Sequence, residues 1–440
     1  METTTLATAI PVPVEVPPGL WRREGTHCPK PFSPFLRAAL GIVSGNFQRA
    51  FEELGVMADR LEYREIGGWV YTGIVPLGGG DQPPTAEQIR ERADRALDVV
   101  MTDRFAAYVD RWPEWRAESV AGVAHLRDVD VAALDDAGLG GHFNDIMEFS
   151  LPVYDLHFLL HGIGAMMLTD LVRTCQELLG WDEARALELL CGLSHASSEP
   201  SRVIAGLAAM ARERPAVRRC VESGECDLAT LSEIDAEFAA AFADYQHEFG
   251  FRAIRYDVVD PSIGETPALT LRLIADQLRS GFDPEGPAAD AGRRRAAAEA
   301  EARAGLAGRP DEDPARFERA LQRAQRWYPV REDEAPMTFS ELFSLVRRVA
   351  VEIGRRLTAD AVLDDPDDVF FLEMEEAFAA LAGRHDGSGP NCRQITARRL
   401  AERAWVDAHP GPVSYGEPFR CPASTPWRPK LASPPRPSCG

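Results

Sequence analysis

The side chains best able to do chemistry fall in four places along the 440 residues. His157 and His161 stand four apart in an apolar run, a spacing that sets two imidazoles on one helical face where they can bind zinc or hydrogen-bond a hydroxyl in a pocket. HExxH is absent, because Phe-Leu-Leu follows His157, and no third ligand stands nearby. The pair therefore reads as polar lining of a pocket or core, with a metal-dependent hydrolase as a rival. His195 sits in the polar loop Ser194–Glu199 ahead of Pro200-Ser201, where a helix N-terminus would favour an anion; an ordinary capping loop accounts for the same residues. Arg252, Arg255 and Asp257 can orient a phosphate or pair with one another inside the fold. The run Arg331-Glu332-Asp333-Glu334 is either a contact face or a solvated charge run.

The elements that must position these groups are helical. Leu342, Val346, Val349, Ile353 and Leu357 recur at helical spacing, with Arg347, Arg348, Arg355 and Arg356 on the other side, and Thr338 with Glu341 forms a capping box. Asp364-Asp365-Pro366 stops that helix, and Asp367 to Leu372 reads as a turn into an apolar anchor at Phe370. The run from Gly141 to Trp181 is apolar nearly all round, which predicts a helix buried at the centre of a bundle. Gly67-Gly68, between Tyr63, Ile66 and Trp69, Tyr71, Ile74, predicts a β-hairpin. The stretch from Gly250 to Asp260-Pro261 reads as an irregular crossing segment, and Ala288–Arg326 as a long solvated helix broken near Gly308-Arg309-Pro310. The expected fold is mainly α: a multi-helix domain over residues 20–383 with a small N-terminal β-hairpin. It is flanked by a disordered segment over 1–19 and by a linker, short helix and disordered Pro/Ser-rich tail over 384–440.

Composition narrows the function. A formal charge of −21 disfavours nucleic acid as a partner, because phosphate charge would be repelled. No stretch approaches the roughly 20 uninterrupted apolar residues of a membrane span. The eight cysteines show neither CxxC nor zinc-ligand spacing, so a reduced set of thiols in a cytoplasmic protein is expected. Lys30 and Lys430 are the only lysines, and the P-loop signature is missing, which removes a P-loop kinase and argues against an ATP-grasp domain in this chain.

Several of these motifs together resemble the middle helical domain of phosphoenolpyruvate-utilising phosphotransferases of the phosphoenolpyruvate synthase and rifampicin phosphotransferase type. The Arg-Glu-Asp run at 331–333, the Arg-bearing helix and VLDDPDDVFFL at 362–372 resemble the late part of that domain. Trp21, the Thr26-His27-x-Pro-x-Pro loop and the glycine hairpin resemble its opening; Gly250, Arg252, Asp257 and Pro261 match its Gly-x-Arg…Asp…Pro run. The resemblance implies an acceptor-binding module in a phosphotransfer system, not active alone, with substrate-binding residues His157, His161, His195, Arg252, Arg255 and Asp257. Arg331, Glu332, Asp333, Asp367 and Phe370 would dock a mobile phosphohistidine domain. The acceptor is expected to be a small hydroxylated or enolic apolar molecule. Neither His385 nor His409 lies in a phosphohistidine-type Gly-x-x-Ser-His setting, so no catalytic residue or metal site is expected here. No cofactor is expected on this chain, with ATP and Mg only on partner ATP-grasp and phosphohistidine domains; either these lie on separate chains or the reading frame is truncated. A non-catalytic helical scaffold is the rival from another class.

Overall fold

The computed structural model describes residues 10–80, 83–194, 198–253, 255–281, 285–335, 340–385 and 387–418. Its helices are α1 Ala39–Leu54, α2 Ala86–Thr102, α3 Ala106–Arg127, α4 Asp136–Leu179, α5 Glu183–Leu187, α6 Glu199–Arg212, α7 Pro215–Ser223 and α8 Leu228–Ile234. They continue as α9 Ala236–Phe249, α10 Pro267–Ser280, α11 Glu285–Gly305, α12 Glu312–Ala335, α13 Glu341–Ala359, α14 Met374–Gly383 and α15 Cys392–Ala408. The fold is mainly α, as the periodicity predicts.

α4 is the spine. Asp135 caps it by accepting the Gly138 N–H at 2.7 Å, and Gly180, at φ 69°, ends it. Along its 44 residues it feeds three apolar clusters in turn: Leu139, Phe143 and Ile146 against α13; Leu160, Ile163 and Met167 beside Trp327; and Leu171, Cys175 and Leu178 against Phe317 and Leu321 of α12. By length and composition it could cross a membrane, which the count of uninterrupted apolar residues did not anticipate. Here the three clusters occupy its buried side.

A separate cluster joins α6 to α10 into a small bundle around Phe238, Phe242, Leu271 and Ile274. Within it Cys220 and Cys226 are joined by a disulfide, their Cα atoms 5.2 Å apart, because the chain turns back after Gly224. This corrects the expectation of a wholly reduced set of thiols. Cys28, Cys175, Cys191 and Cys392 are free.

The glycine hairpin forms as expected: β2 Ala58–Ile66 and β3 Trp69–Pro76 meet through Gly67 and Gly68 at φ 57° and 82°, the left-handed pair that a two-residue turn requires. It is the core of a larger antiparallel sheet of order β2-β3-β1-β4, completed by β1 Trp21–Arg23 and β4 Ser414–Tyr415. Residues 384–418 thus include a helix and a strand built into the domain. Val406 of α15 lies over Gly68, where a Cβ would come within 2.5 Å of it, and buried Arg399 donates to the Phe371 carbonyl at 2.9 Å.

α13 buries Leu342, Val346, Val349, Ile353 and Leu357. Its arginines do not form one solvated face. Arg347 donates to Glu265 and to the Val258 carbonyl at 2.7 Å, Arg348 to the carbonyls of Arg127 and Val129, and Arg356 to Glu352, Asp136 and the Leu134 carbonyl. The planar five-donor guanidinium satisfies loop carbonyls that cannot join a helix ladder, so three of the four arginines staple loops to the helix. Arg355 alone of the four remains largely exposed.

Candidate functional site

A cavity of 890 Å³ lies between the α6–α10 bundle and the side formed by α3, α12 and the start of α13. Its walls are mainly apolar, with Trp112, Val120, Val123, Phe249, Pro329 and Val330 contributing, and polar groups converge on it from several elements. α3 supplies Arg116 and Arg127, one helical face carrying both. α12 supplies Asp333, which accepts from Trp112 Nε1 at 2.9 Å and Arg116 Nε at 3.0 Å. Arg127 reaches across to α9, donating to the His247 carbonyl at 3.3 Å and lying 4.6 Å from the Phe251 ring centroid.

Two charged groups in this cleft stand without hydrogen-bond partners among the described residues: the guanidinium of Arg252, stacked 5.2 Å from the Phe249 ring centroid, and the carboxyl of Glu341. Arg127 Nε is likewise buried and unbonded. Burial draws the Arg252 pKa below the usual guanidinium value, against the raising influence of Glu341 and Glu248. Burial also pushes the Glu341 carboxyl above the ordinary glutamate range, partly offset by Arg127, Arg252 and Arg116. A half-buried cation and a carboxyl biased toward its neutral form, facing an apolar cleft, are the arrangement a polar ligand group would complete.

The sequence-predicted residues distribute unevenly. Arg252 and Asp333 line the cleft, and Ser194 does so beside His195, which lies outside the described residues, as does Thr338 of the expected capping box. Arg255 and Asp257 are held in internal contacts. Arg255 pairs with Asp260, while buried Asp257 accepts from the Ser33 N–H at 2.8 Å and the Ser33 hydroxyl at 2.5 Å, tying the N-terminal loop to the crossing segment. Both border a small cavity of 140 Å³ with His27 and Lys30, apart from the cleft.

His157 and His161 share one carboxylate, Glu334 of α12. His157 Nδ1 lies 2.5 Å from Glu334 Oε2, and His161 Nδ1 lies 3.7 Å from Oε1. Glu334 is completely buried, so it belongs to no contact face. Among the described residues, no group of three or more His, Cys, Asp or Glu is arranged to hold a metal.

Of the residues expected to dock a partner domain, Arg331 and Glu332 pair with each other at 3.2 Å and are half-buried, and Asp367 is exposed at the start of a 3-10 turn, Pro366–Phe371. Phe370 is fully buried, edge-on to Phe35 with centroids 6.3 Å apart, and packs the turn onto its own domain. Glu341, Arg116, Arg127 and Trp112 were not singled out as site residues. Glu341 carried a signal, an acidic side chain at a helix start, but capping chemistry explains that signal equally well.

Residues 156–332 match the family model described as rifampicin phosphotransferase fourth domain. The chain is 22% identical over 363 residues to a Bacillus subtilis (strain 168) protein described as uncharacterized phosphotransferase YvkC, a match covering 80% of this chain and 41% of that protein. It is 23% identical over 405 residues to chondramide synthase cmdD of Chondromyces crocatus, covering 86% of this chain and 10% of that protein. The chain therefore spans less than half the length of either relative.

Proposed function

We propose, from the premise that this chain carries a domain of the phosphoenolpyruvate-utilising phosphotransferase family, that it is the acceptor-binding module of a phosphotransfer system. In this reading a small, largely apolar molecule bearing a hydroxyl or enol occupies the 890 Å³ cleft. ATP, Mg and the phosphohistidine reside on other domains or chains, and this chain does not turn over ATP alone.

The observation that carries the reading is the convergence of Arg252 and Glu341, both without hydrogen-bond partners among the described residues, on one apolar-walled cleft. Phosphoryl transfer asks for positioning and for positive charge near the moving group more than for covalent chemistry. Arg252, with Arg127 and Arg116 beside it, supplies that potential. Glu341 holds the acceptor hydroxyl and, once ionised, can take its proton. Trp112, Val120, Phe249 and Val330 exclude water from the acceptor's apolar body.

A thermal-shift screen of hydroxyl-bearing apolar compounds on the wild-type chain, repeated on Arg252→Ala and Glu341→Gln, tests the reading. A compound that raises the melting temperature of the wild type and loses most of that effect in both variants supports it. Hydrolysis of ATP by the purified chain, or hits that protect the variants as well as the wild type, would reject it. A scaffold that binds only protein would leave every compound without effect.

A further inference from the structure

The Cys220–Cys226 disulfide joins the last turn of α7 to the residue before the cap of α8, across residues 222–225, which are exposed. Both helices are short, nine and seven residues, and helices of that length do not hold themselves in water. α7 is held at three points. At its start Arg214 donates to Asp235 Oδ1 at 3.0 Å and to Glu237 Oε2 at 2.7 Å. Along its length Val217 and Val221 join the apolar cluster of Leu231, Phe238 and Phe242. At its end stands the disulfide. Glu237 is largely exposed, so solvent screens part of the ionic tie and the covalent one carries more of the load.

The two sulfurs are also set apart from the other thiols. Cys220 and Cys226 are half-buried beside an exposed turn, where a reagent can reach them, whereas Cys28, Cys175 and Cys392 are buried. Burial pushes the Cys28 thiol up to about 12 and that of Cys175 to about 11. Such thiols yield little thiolate, so they do not attack the disulfide, and the pair answers to an outside reagent.

We propose that Cys220–Cys226 is a thiol–disulfide switch: a dithiol reductant opens it, and residues 215–234 then pass from a fixed part of the bundle to a locally unfolding one. A thiolate of the reductant attacks one cysteine sulfur, the S–S bond breaks, and the other cysteine leaves as a thiolate that takes a proton. The reductant's second thiol gives up its proton and displaces the first cysteine, closing the reductant's own disulfide. Two electrons and two protons thus reach the pair, and a disulfide oxidant reverses the step. The effect passes on through Asp235, which ends α8, caps α9 by accepting the Phe238 N–H at 2.9 Å and receives Arg214. α9 ends at His247 and Phe249 in the cleft wall, but the inference does not depend on what the cleft binds.

The test compares the full chain before and after dithiothreitol, by native alkylation with iodoacetamide and by amide hydrogen exchange. Both cysteines fall in one tryptic peptide, residues 220–252, which should carry no label before reduction and two after. Exchange over 215–234 is expected to quicken by about tenfold or more, with 341–359 unchanged and oxidised glutathione restoring the slow state. The double variant Cys220→Ser, Cys226→Ser should exchange fast with or without reductant; if it does not fold, the reversal in the wild type decides alone. Label on that peptide without reductant overturns the proposal, as does unchanged exchange over 215–234 after full reduction. A rise shared equally by 341–359 also overturns it, since the disulfide would then support the whole fold and switch no part of it.

Discussion

The guanidinium of Arg347 lies 5.0 Å over the ring of Phe370, so the 3-10 turn and α13 are joined through a cation on an aromatic face. The same guanidinium donates to both Glu265 oxygens and to the carbonyls of Val258 and Val259, which makes it the point where turn, crossing segment and helix meet. Lysine keeps the charge but has no planar fork, so it cannot serve these acceptors together. Arg347→Lys should therefore lower stability by about 2–4 kcal/mol, because buried carbonyls are left unbonded. Urea unfolding measures it, and a loss below about 0.5 kcal/mol would mean the contacts are not formed in solution.

The close approach of the same turn to α13 supplies a second test. A Cβ on Gly354 would stand 2.1 Å from the Pro366 carbonyl oxygen and 3.1 Å from Val369 Cγ1, and the nearer neighbour is backbone, which cannot rotate away. Gly354→Ala normally gains helix propensity, by about 1 kcal/mol. Here the clash should outweigh that gain and leave a net loss of roughly 1–3 kcal/mol by urea unfolding. A stabilised variant would show that the turn does not rest on the helix.

What was legible in the sequence follows from range. The glycine hairpin and the α13 apolar stripe are written in local patterns, turn chemistry and 3.6-residue spacing, and both formed. The fate of the arginines on α13 was not, because whether an arginine is solvated or bonded to a carbonyl depends on chain more than 80 residues away, as for Arg347 with Val258 and Arg348 with Arg127. Asp257 illustrates the same limit, its partner Ser33 lying 224 positions off. Of the residues that line the cleft, Arg252 stands out in sequence through its Gly-x-Arg run, whereas an acidic residue such as Glu341 at a helix start reads equally well as a cap. The burial of Phe370 is not legible locally either, because an apolar residue beside an acidic turn looks the same whether its cover is a partner domain or its own helix.

Glu341 makes the cleft's electrostatics measurable. Burial raises its carboxyl above the ordinary glutamate value of 4.5, although Arg127, Arg252 and Arg116 pull the other way. The folded state then binds more protons than the unfolded state in that range. The group's contribution is fully present below the unfolded value and is lost as pH rises through the folded one. Glu341→Gln removes the penalty of holding a charge there, so the variant should be the more stable at pH 7, with the two urea midpoints converging below pH 4.5. A variant less stable than wild type at neutral pH would mean that the three arginines, and not burial, dominate this carboxyl.

Glu334 and its two histidines offer a graded comparison within one cluster. The carboxylate is fully buried, His157 is nearly so, and they meet at 2.5 Å; His161 sits at 3.7 Å with almost half its side chain exposed. Removing one partner of a buried pair strands the other in a low dielectric, whereas a longer, half-solvated contact is screened. Double-mutant cycles built from Glu334→Gln with His157→Leu and with His161→Leu should separate the two. The first is expected to show coupling of about 1–3 kcal/mol and the second less than about 0.5 kcal/mol. Near-equal couplings would mean that both imidazoles are bound structurally to the carboxylate. A near-zero coupling for His157 would instead place the holding of Glu334 on other contacts.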